Sequence, residues 1–158
     1  VKIIIAAAAI AFFLNTFIIA NSTVPSGSME TTIMTGDRII GSRLAYKLGG
    51  DPERGDIVIF DHETGPGNEE TRLVKRVIGL PGETVEIRDG ALQDEPYLRE
   101  AMDSDDYHFE VPEGCYLMLG DNRNYSADAR YWPDPYVPEK KILAKVLFRY
   151  YPRIGKIK

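Results

Sequence analysis

The stretch Arg72-Leu73-Val74-Lys75-Arg76-Val77-Ile78-Gly79-Leu80-Pro81-Gly82 is a β-rich segment that ends in a turn containing glycine and proline. In a strand, successive side chains point to opposite faces of the sheet. Lys75 therefore shares its face with Leu73 and Val77, and Val74 lies on the other face. If the first face packs on the core, Lys75 is a buried amine; if the second does, Lys75 is solvated. The alternation predicts a strand and leaves both alternatives open.

Other segments repeat this pattern of an apolar run bounded by a turn. Strands are predicted at residues 38–41, 57–60, 72–78, 83–88, 116–119 and 142–151. The dipeptide Asp89-Gly90 is a typical two-residue hairpin turn. Residues 61–70 are predicted to form a loop, and residues 93–106 an exposed acidic excursion. Because no strongly periodic helix follows residue 21, the predicted fold class is mainly β.

An uncharged apolar segment at residues 3–20 precedes these strands, with Asn15 and Thr16 as its only polar side chains. Eighteen helical residues at about 1.5 Å each nearly match a hydrocarbon core of about 30 Å. The segment is predicted to be one transmembrane helix; a cleaved signal peptide and a buried core helix are the alternatives. Lys2 is its flanking charge and favours a cytoplasmic N-terminus with the following domain outside.

The charge of the chain is unevenly distributed. Its formal net charge is −5, yet residues 139–158 contain seven Lys or Arg and one Glu. The part between the apolar segment and this basic end is acidic, which argues against nucleic acid as a partner. The basic end is either a solvated tail or a contact for anionic lipid headgroups. No His, Cys and Asp cluster has metal-ligand spacing, so neither a metal nor a cofactor is predicted.

Two hydroxyls two residues apart, in Pro25-Ser26-Gly27-Ser28-Met29, are the candidate nucleophiles. A serine needs a nearby base to act as a nucleophile. His62 and His108 are the only histidines, and their polar surroundings predict a surface position for each. Lys75 is the other candidate, because burial lowers the pKa of an amine toward neutrality.

Four motifs in this order resemble the successive sequence boxes of bacterial type I signal peptidases, the membrane-bound Ser-Lys endopeptidases that remove signal peptides from exported preproteins. They are Pro25-Ser26-Gly27-Ser28-Met29, Gly55-Asp56-Ile57-Val58-Ile59-Phe60, Lys75-Arg76-Val77-Ile78-Gly79-Leu80-Pro81-Gly82 and Gly120-Asp121-Asn122-Arg123-Asn124-Tyr125-Ser126-Ala127-Asp128. Eukaryotic and archaeal relatives have a histidine at the position of Lys75, so the resemblance is to the bacterial type.

The resemblance implies a role for each matching residue. Ser28 would be the nucleophile and Lys75 its general base, a Ser-Lys variant of the catalytic triad. Ser26 would donate to the oxyanion beside the Ser28 N–H. Ser126 would orient the Lys75 amine. Two pairs would hold the loop that contains Ser126: Asp121 with Arg76, and Asp128 with Arg130.

The resemblance also implies an architecture and a location. Residues 1–20 would be a single-pass anchor in the cell membrane, and residues 21–158 an antiparallel β catalytic domain with a small insert at about 89–114. The catalytic domain would lie on the extracytoplasmic side. Its partners would be preprotein signal peptides and the lipid bilayer, with the secretion translocon nearby.

Some positions depart from the family pattern, and two other functions stay open. Thr31 replaces a usual proline, and Asn124 and Tyr125 replace a usual Asp-Asn. Ala129 replaces a common serine, and Pro133 a frequent glycine. None of these changes removes a proposed catalytic group. The alternatives are a self-cleaving Ser-Lys protease and a non-enzymatic membrane-anchored β module that binds peptides.

Overall fold

The computed structural model of the protein describes residues 1–64, 69–92, 102–103 and 105–157. Its helices are α1 (Lys2–Phe13) and α2 (Leu44–Lys47), with a π-helical turn at Leu14–Ile18 and 3-10 turns at Gly27–Met29, Arg123–Tyr125 and Glu139–Lys141. Its strands are β1 (Ile19–Thr23), β2 (Arg38–Ser42), β3 (Ile57–Glu63), β4 (Glu70–Gly79), β5 (Thr84–Ile87), β6 (Tyr107–Glu110), β7 (Cys115–Leu119), β8 (Tyr136–Pro138), β9 (Ile142–Tyr151) and β10 (Gly155–Lys156).

The described strands form one large antiparallel sheet and one small one. The large sheet has the order β1-β2-β9-β3-β4-β7-β8, and β10 pairs with β9. The small sheet consists of β5 and β6. The predicted mainly β, antiparallel fold is therefore confirmed, and the predicted strands correspond to β2, β3, β4, β5, β7 and β9.

β4 lies inside the large sheet, between β3 and β7, and is covered on both faces. Val77 packs in a cluster with Val58 and Phe60, and Val74 packs in a second cluster with Ile57 and Ile59. Lys75 is 3% exposed, so the alternative of a buried amine is confirmed and that of a solvated Lys75 is wrong. The face with Val74 is covered as well, which the alternation did not predict.

The N-terminal segment is helical and then extended. α1 has 12 residues, and β1 begins at Ile19, inside the segment that was predicted to be helical up to residue 20. Among the residues that the structure describes, no helix combines the length and the apolar character needed to cross a membrane.

Several local predictions need correction. His62 was predicted at the surface, but β3 continues through it and buries it; the prediction for His108 is confirmed, because its side chain is 56% exposed. Asp89-Gly90 does form a tight turn, with Arg88 and Ala91 bonded across it at 2.9 and 3.2 Å.

The strand that pairs with β5 is β6, which comes later in the chain than the predicted hairpin. Residues 65–68 of the predicted loop, and most of the predicted excursion at 93–106, lie outside the described residues. Met102, which falls within that excursion, is buried in the core rather than exposed.

Candidate active site

Ser28 sits in a single 3-10 turn that follows β1. The turn is closed by the Glu30 N–H, which donates to the Gly27 carbonyl at 3.1 Å. Met29 is fully buried and anchors the turn in the core, whereas Ser28 is 8% exposed. The Ser26 and Ser28 hydroxyl oxygens lie 3.4 Å apart. Anchoring of Met29 thus fixes the position from which the Ser28 hydroxyl can act.

Lys75 lies in β4, opposite Val58 of β3, on the face of the larger core cluster. It is 3% exposed, and its Nζ donates to the Ser126 hydroxyl at 3.1 Å. Burial lowers the pKa of Lys75 to about 8; Asp128 opposes this shift by its negative charge. An amine in this state supplies a neutral base at pH values near 8, far below the ordinary lysine range.

Gly120 is the point at which the loop with Ser126 meets the Ser28 turn. A Cβ at position 120 would overlap both the Ser126 Oγ and the carbonyl oxygen of Ser28. The position therefore excludes a side chain because two proposed site residues approach each other across it. The chain is folded so that the partner of Lys75 and the backbone of the candidate nucleophile are neighbours.

Asn122 joins the same two segments by hydrogen bonds. Its backbone N–H donates to the Ser28 carbonyl at 3.0 Å, and its Nδ2 donates to the Gly27 carbonyl at 2.9 Å. Asn122 lies within the motif at residues 120–128, but the sequence predicts no role for it. Its acceptors are backbone carbonyls, which every residue has, so the type of the partner residue could not predict the contact. Its place beside Asp121 in the quoted motif was the only available signal.

The predicted pair of Arg76 and Asp121 is present and buried. Arg76 Nε donates to Asp121 Oδ1 at 2.8 Å, and Arg76 Nη2 donates to Oδ2 at 2.6 Å. Arg76 Nη1 also donates to the Gly55 carbonyl at 2.7 Å, and the Thr32 hydroxyl donates to Asp121 at 2.6 Å. The pair therefore ties β4 to the start of the Ser126 loop and to the segment after Ser28.

The predicted pair of Asp128 and Arg130 is also present, inside a larger network. Arg130 Nε and Nη2 donate to the two Asp128 carboxylate oxygens at 2.8 and 2.9 Å. Asp128 also accepts the Gly120 N–H at 3.0 Å, and Arg130 donates to the Arg123 carbonyl at 2.7 Å. Arg123 in turn donates to the Gly120 carbonyl at 2.8 Å. The network closes the loop on itself and holds Ser126; Arg123 is a second contributor that sequence reasoning did not assign.

The structure brings all the predicted site residues into one region, but Lys75 and Ser28 are not in direct hydrogen-bond contact there. In the described part of the chain, Lys75 makes its hydrogen bond to Ser126, and none joins it directly to Ser28. Catalytic hydrogen bonds are often long in a free enzyme and shorten when substrate binds. Among the residues described, no group of three or more His, Cys, Asp or Glu side chains could hold a metal ion. The predicted contacts are present, and the roles assigned to them stay predictions.

Comparison with known proteins gives consistent matches. The family model described as "Signal peptidase, peptidase S26" matches residues 1–151. The probable signal peptidase I-2 of Synechocystis sp. is 36% identical over 164 residues, which cover 98% of this chain and 74% of that protein. Signal peptidase IB of Staphylococcus aureus is 33% identical over 90% of this chain and 83% of its own length.

A solved structure was also matched, that of a signal peptidase I from Enterococcus faecalis. The two chains are 32% identical, with a TM-score of 0.49, and the match covers 61% of this chain and 97% of that one.

Proposed function

Because the chain belongs to the signal peptidase family, peptidase S26, we propose that Ser28 and Lys75 are the nucleophile and general base of its peptidase reaction. The enzyme is a serine endopeptidase that removes N-terminal signal peptides from preproteins, and a Ser/Lys dyad is a general property of the family. The proposal concerns which residues of this chain form that dyad and how their surroundings support it.

The first half of the reaction forms an acyl-enzyme. Neutral Lys75 takes the proton of the Ser28 hydroxyl, and Ser28 Oγ attacks the scissile carbonyl carbon. The Ser26 hydroxyl and the Ser28 N–H stabilise the oxyanion. Lys75 then gives its proton to the leaving amine as the peptide bond breaks. Ser126 keeps the Lys75 amine oriented throughout.

The second half releases the signal peptide. Lys75, again neutral, takes a proton from a water molecule, which attacks the acyl carbon. Collapse of the second tetrahedral intermediate breaks the ester and returns the proton to Ser28. One base therefore serves both halves, as the histidine of a classical triad does.

A single observation carries the assignment: Lys75 is a buried amine that donates a hydrogen bond to Ser126. The loop that contains Ser126 is itself hydrogen-bonded to the Ser28 turn. A buried amine without a carboxylate in contact is unfavourable for stability, and such positions are typical of functional sites. Asp121 with Arg76, and Asp128 with Arg130, support the geometry by fixing the loop.

The membrane placement is part of the same proposal. The part of residues 1–20 that precedes β1 serves as a single-pass anchor, and residues 21–158 form the β catalytic domain on the extracytoplasmic side, with a small insert at about 89–114. Ser28 then lies ten residues beyond Ile18, the last residue before β1, close to the cleavage site of a membrane-held signal peptide. Tethering to the bilayer, near the secretion translocon, raises the effective concentration of substrate without any new contact.

Serine substitutions in the full chain test the dyad. The assay uses detergent-solubilised protein and a separate preprotein with an Ala-x-Ala cleavage site. Ser28→Ala is expected to lower kcat by about 10⁴-fold or more, and Ser26→Ala by about 10²- to 10³-fold. Ser22→Ala, in β1, is the matched control and is expected to leave kcat unchanged. Wild-type rates in Ser28→Ala would contradict the assignment.

Two further measurements distinguish the alternative functions. A serine-directed acylating inhibitor is expected to label Ser28, whereas Ser28 of a non-enzymatic binding module would stay unlabelled. Cleavage of the added preprotein distinguishes action on another chain from self-cleavage.

A further inference from the structure

A pocket lies beside α2, apart from the site of Ser28 and Lys75. Its volume is about 580 Å³. Its walls come from α2 and the residue before it, and from the 3-10 turn that leads into β9. The charged lining consists of Arg43, Lys47, Lys140 and Glu139. Three cations against one carboxylate make this pocket basic, although the chain as a whole has more acidic than basic side chains.

The cations of this pocket contrast with nearby lysines. Lys141 forms an ion pair with Glu70, and Lys145 pairs with Asp56 at 2.6 Å. Among the described residues, neither Lys47 nor Lys140 has an ion-pair partner, and both are exposed. Both line the same pocket, and two ammonium groups without an ion-pair partner in the described part of the chain favour an anionic ligand there.

The pocket lies next to the end of the apolar N-terminal segment. The Arg43 N–H donates to the Ile18 carbonyl at 2.8 Å, and Arg43 Nε donates to the Ile19 carbonyl at 3.1 Å. Leu48, which follows α2 directly, is 80% exposed. If the apolar segment is anchored in a bilayer, these contacts place the basic pocket at the level of the lipid headgroups.

We propose that this pocket binds the phosphate-bearing headgroup of an anionic lipid, with Arg43, Lys47 and Lys140 as its cationic ligands. The proposal rests on the membrane placement given above, because that placement supplies the anion. The shared chemistry is an anionic phosphate group, which a free phosphate ion also offers. The headgroup is favoured because the pocket borders the last residues of the apolar segment.

Calorimetric titration of the full chain in nonionic detergent tests this. One arm adds phosphatidylglycerol in mixed micelles, a second adds phosphatidylcholine, and a third adds inorganic phosphate. Binding of phosphatidylglycerol is expected to saturate at one per chain and to be at least about tenfold tighter than the other two. Equal binding of both lipids would overturn the proposal. Inorganic phosphate as tight as phosphatidylglycerol would assign the pocket to a soluble anion instead.

Neighbouring lysines supply a matched pair of variants. Lys140→Gln and Lys141→Gln remove the same charge one residue apart, but only Lys140 lines this pocket. Lys140→Gln, and likewise Lys47→Gln, is expected to weaken phosphatidylglycerol binding about fivefold, as expected for about 1 kcal/mol per basic residue near an anionic surface. Lys141→Gln is expected to change it less than about twofold. Equal effects of Lys140→Gln and Lys141→Gln would show diffuse attraction rather than a pocket.

Preprotein cleavage by the wild-type chain, measured on the same preparation, separates the two proposals. Cleavage that depends on Ser28 without lipid selectivity refutes the pocket alone. Selective lipid binding without such cleavage refutes the dyad alone.

Discussion

Lys75 and Arg76 are neighbours on β4, and both are buried, at 3% and 2% exposure, yet their surroundings are opposite. The Arg76 guanidinium donates to both carboxylate oxygens of Asp121, at 2.8 and 2.6 Å, and to the Gly55 carbonyl at 2.7 Å. Lys75 lies on the other face of the strand, and within the described residues its side chain makes one hydrogen bond, to the hydroxyl of Ser126. Two buried basic residues that are neighbours in sequence thus have opposite surroundings.

The contrast is the one that the proposed roles require, with a structural cation at Arg76 and a general base at Lys75. A guanidinium stays charged at any accessible pH and forms planar, two-point bonds to a carboxylate. An ammonium held away from carboxylates loses its charge more easily and becomes a base. The two roles are linked, because Asp121 begins the loop that holds Ser126 against Lys75.

Of the changes to the two basic residues of β4, Lys75→Met is expected to have the largest effect. Methionine has a similar length and no base, so kcat is expected to fall by about 10³- to 10⁴-fold. Lys75→Arg should be equally inactive, since a guanidinium cannot be deprotonated in a protein. Preprotein cleavage in detergent measures both variants. Substantial activity in Lys75→Arg would show that the group at position 75 need not be neutral, and would break the contrast with Arg76.

Arg76→Met is expected to affect stability rather than chemistry first. Removing the guanidinium leaves the Asp121 carboxylate buried without its partner, which typically lowers the free energy of unfolding by about 3–5 kcal/mol. The double variant Arg76→Met with Asp121→Leu removes both charges and is expected to recover much of that loss. Denaturant unfolding of the full chain in detergent measures both. A double variant no more stable than the single one would contradict a dominant role for the unpaired charge.

Much of this arrangement was predictable, because the strands have strong local patterns and four motifs occur in the family's order. The pairs of Arg76 with Asp121 and Asp128 with Arg130 followed from the resemblance. Which face of β4 is buried did not follow. Alternation decides between faces only when one is open to solvent, and a core cluster covers each face of β4, one with Val77 and the other with Val74.

Contacts with distant segments could not be predicted either, because a local pattern does not show which part of the chain packs against it. His62 lies in a polar stretch, yet its ring packs on Trp132 at a centroid distance of 4.5 Å and bonds the Asp134 carbonyl at 2.9 Å. Asn122 bonds backbone carbonyls nearly a hundred residues earlier, so no residue type marks its partner. The local sequence indicates whether a segment forms a helix, a strand or a turn, but not which distant segment packs against it.

The pH dependence of cleavage sharpens the comparison further. The proposed mechanism requires a neutral Lys75 to accept the Ser28 proton, and the pKa of Lys75 is lowered to about 8. We expect kcat/KM to fall about tenfold for each pH unit below that value and to level off above it. At two units below, the loss is therefore about a hundredfold. A rate that stays flat through this range, with chemistry as the limiting step, would exclude Lys75 as the base.

The smallest expected effect is on the stability of Lys75→Met. The pKa of Lys75 is lowered from 10.5 to about 8, so between these values the unfolded chain holds more protons than the folded one. The free energy of unfolding of the wild type therefore rises with pH across this window. Below it, the buried ammonium destabilises the fold by about 3 kcal/mol, at about 1.4 kcal/mol per unit.

Lys75→Met removes that destabilisation but leaves the Ser126 hydroxyl without its partner, which offsets about 1 kcal/mol. We expect the variant to be roughly 1–3 kcal/mol more stable than wild type at pH 7, with the advantage gone near pH 10.5. Arg76→Met should show no gain at either pH, because its parent cation is paired. Denaturant unfolding of both variants at the two pH values tests this. If the Lys75→Met chain were less stable than wild type at pH 7, the Lys75 ammonium would be stabilised by its surroundings as well as the Arg76 guanidinium is. The contrast between the two faces of β4 would then not hold.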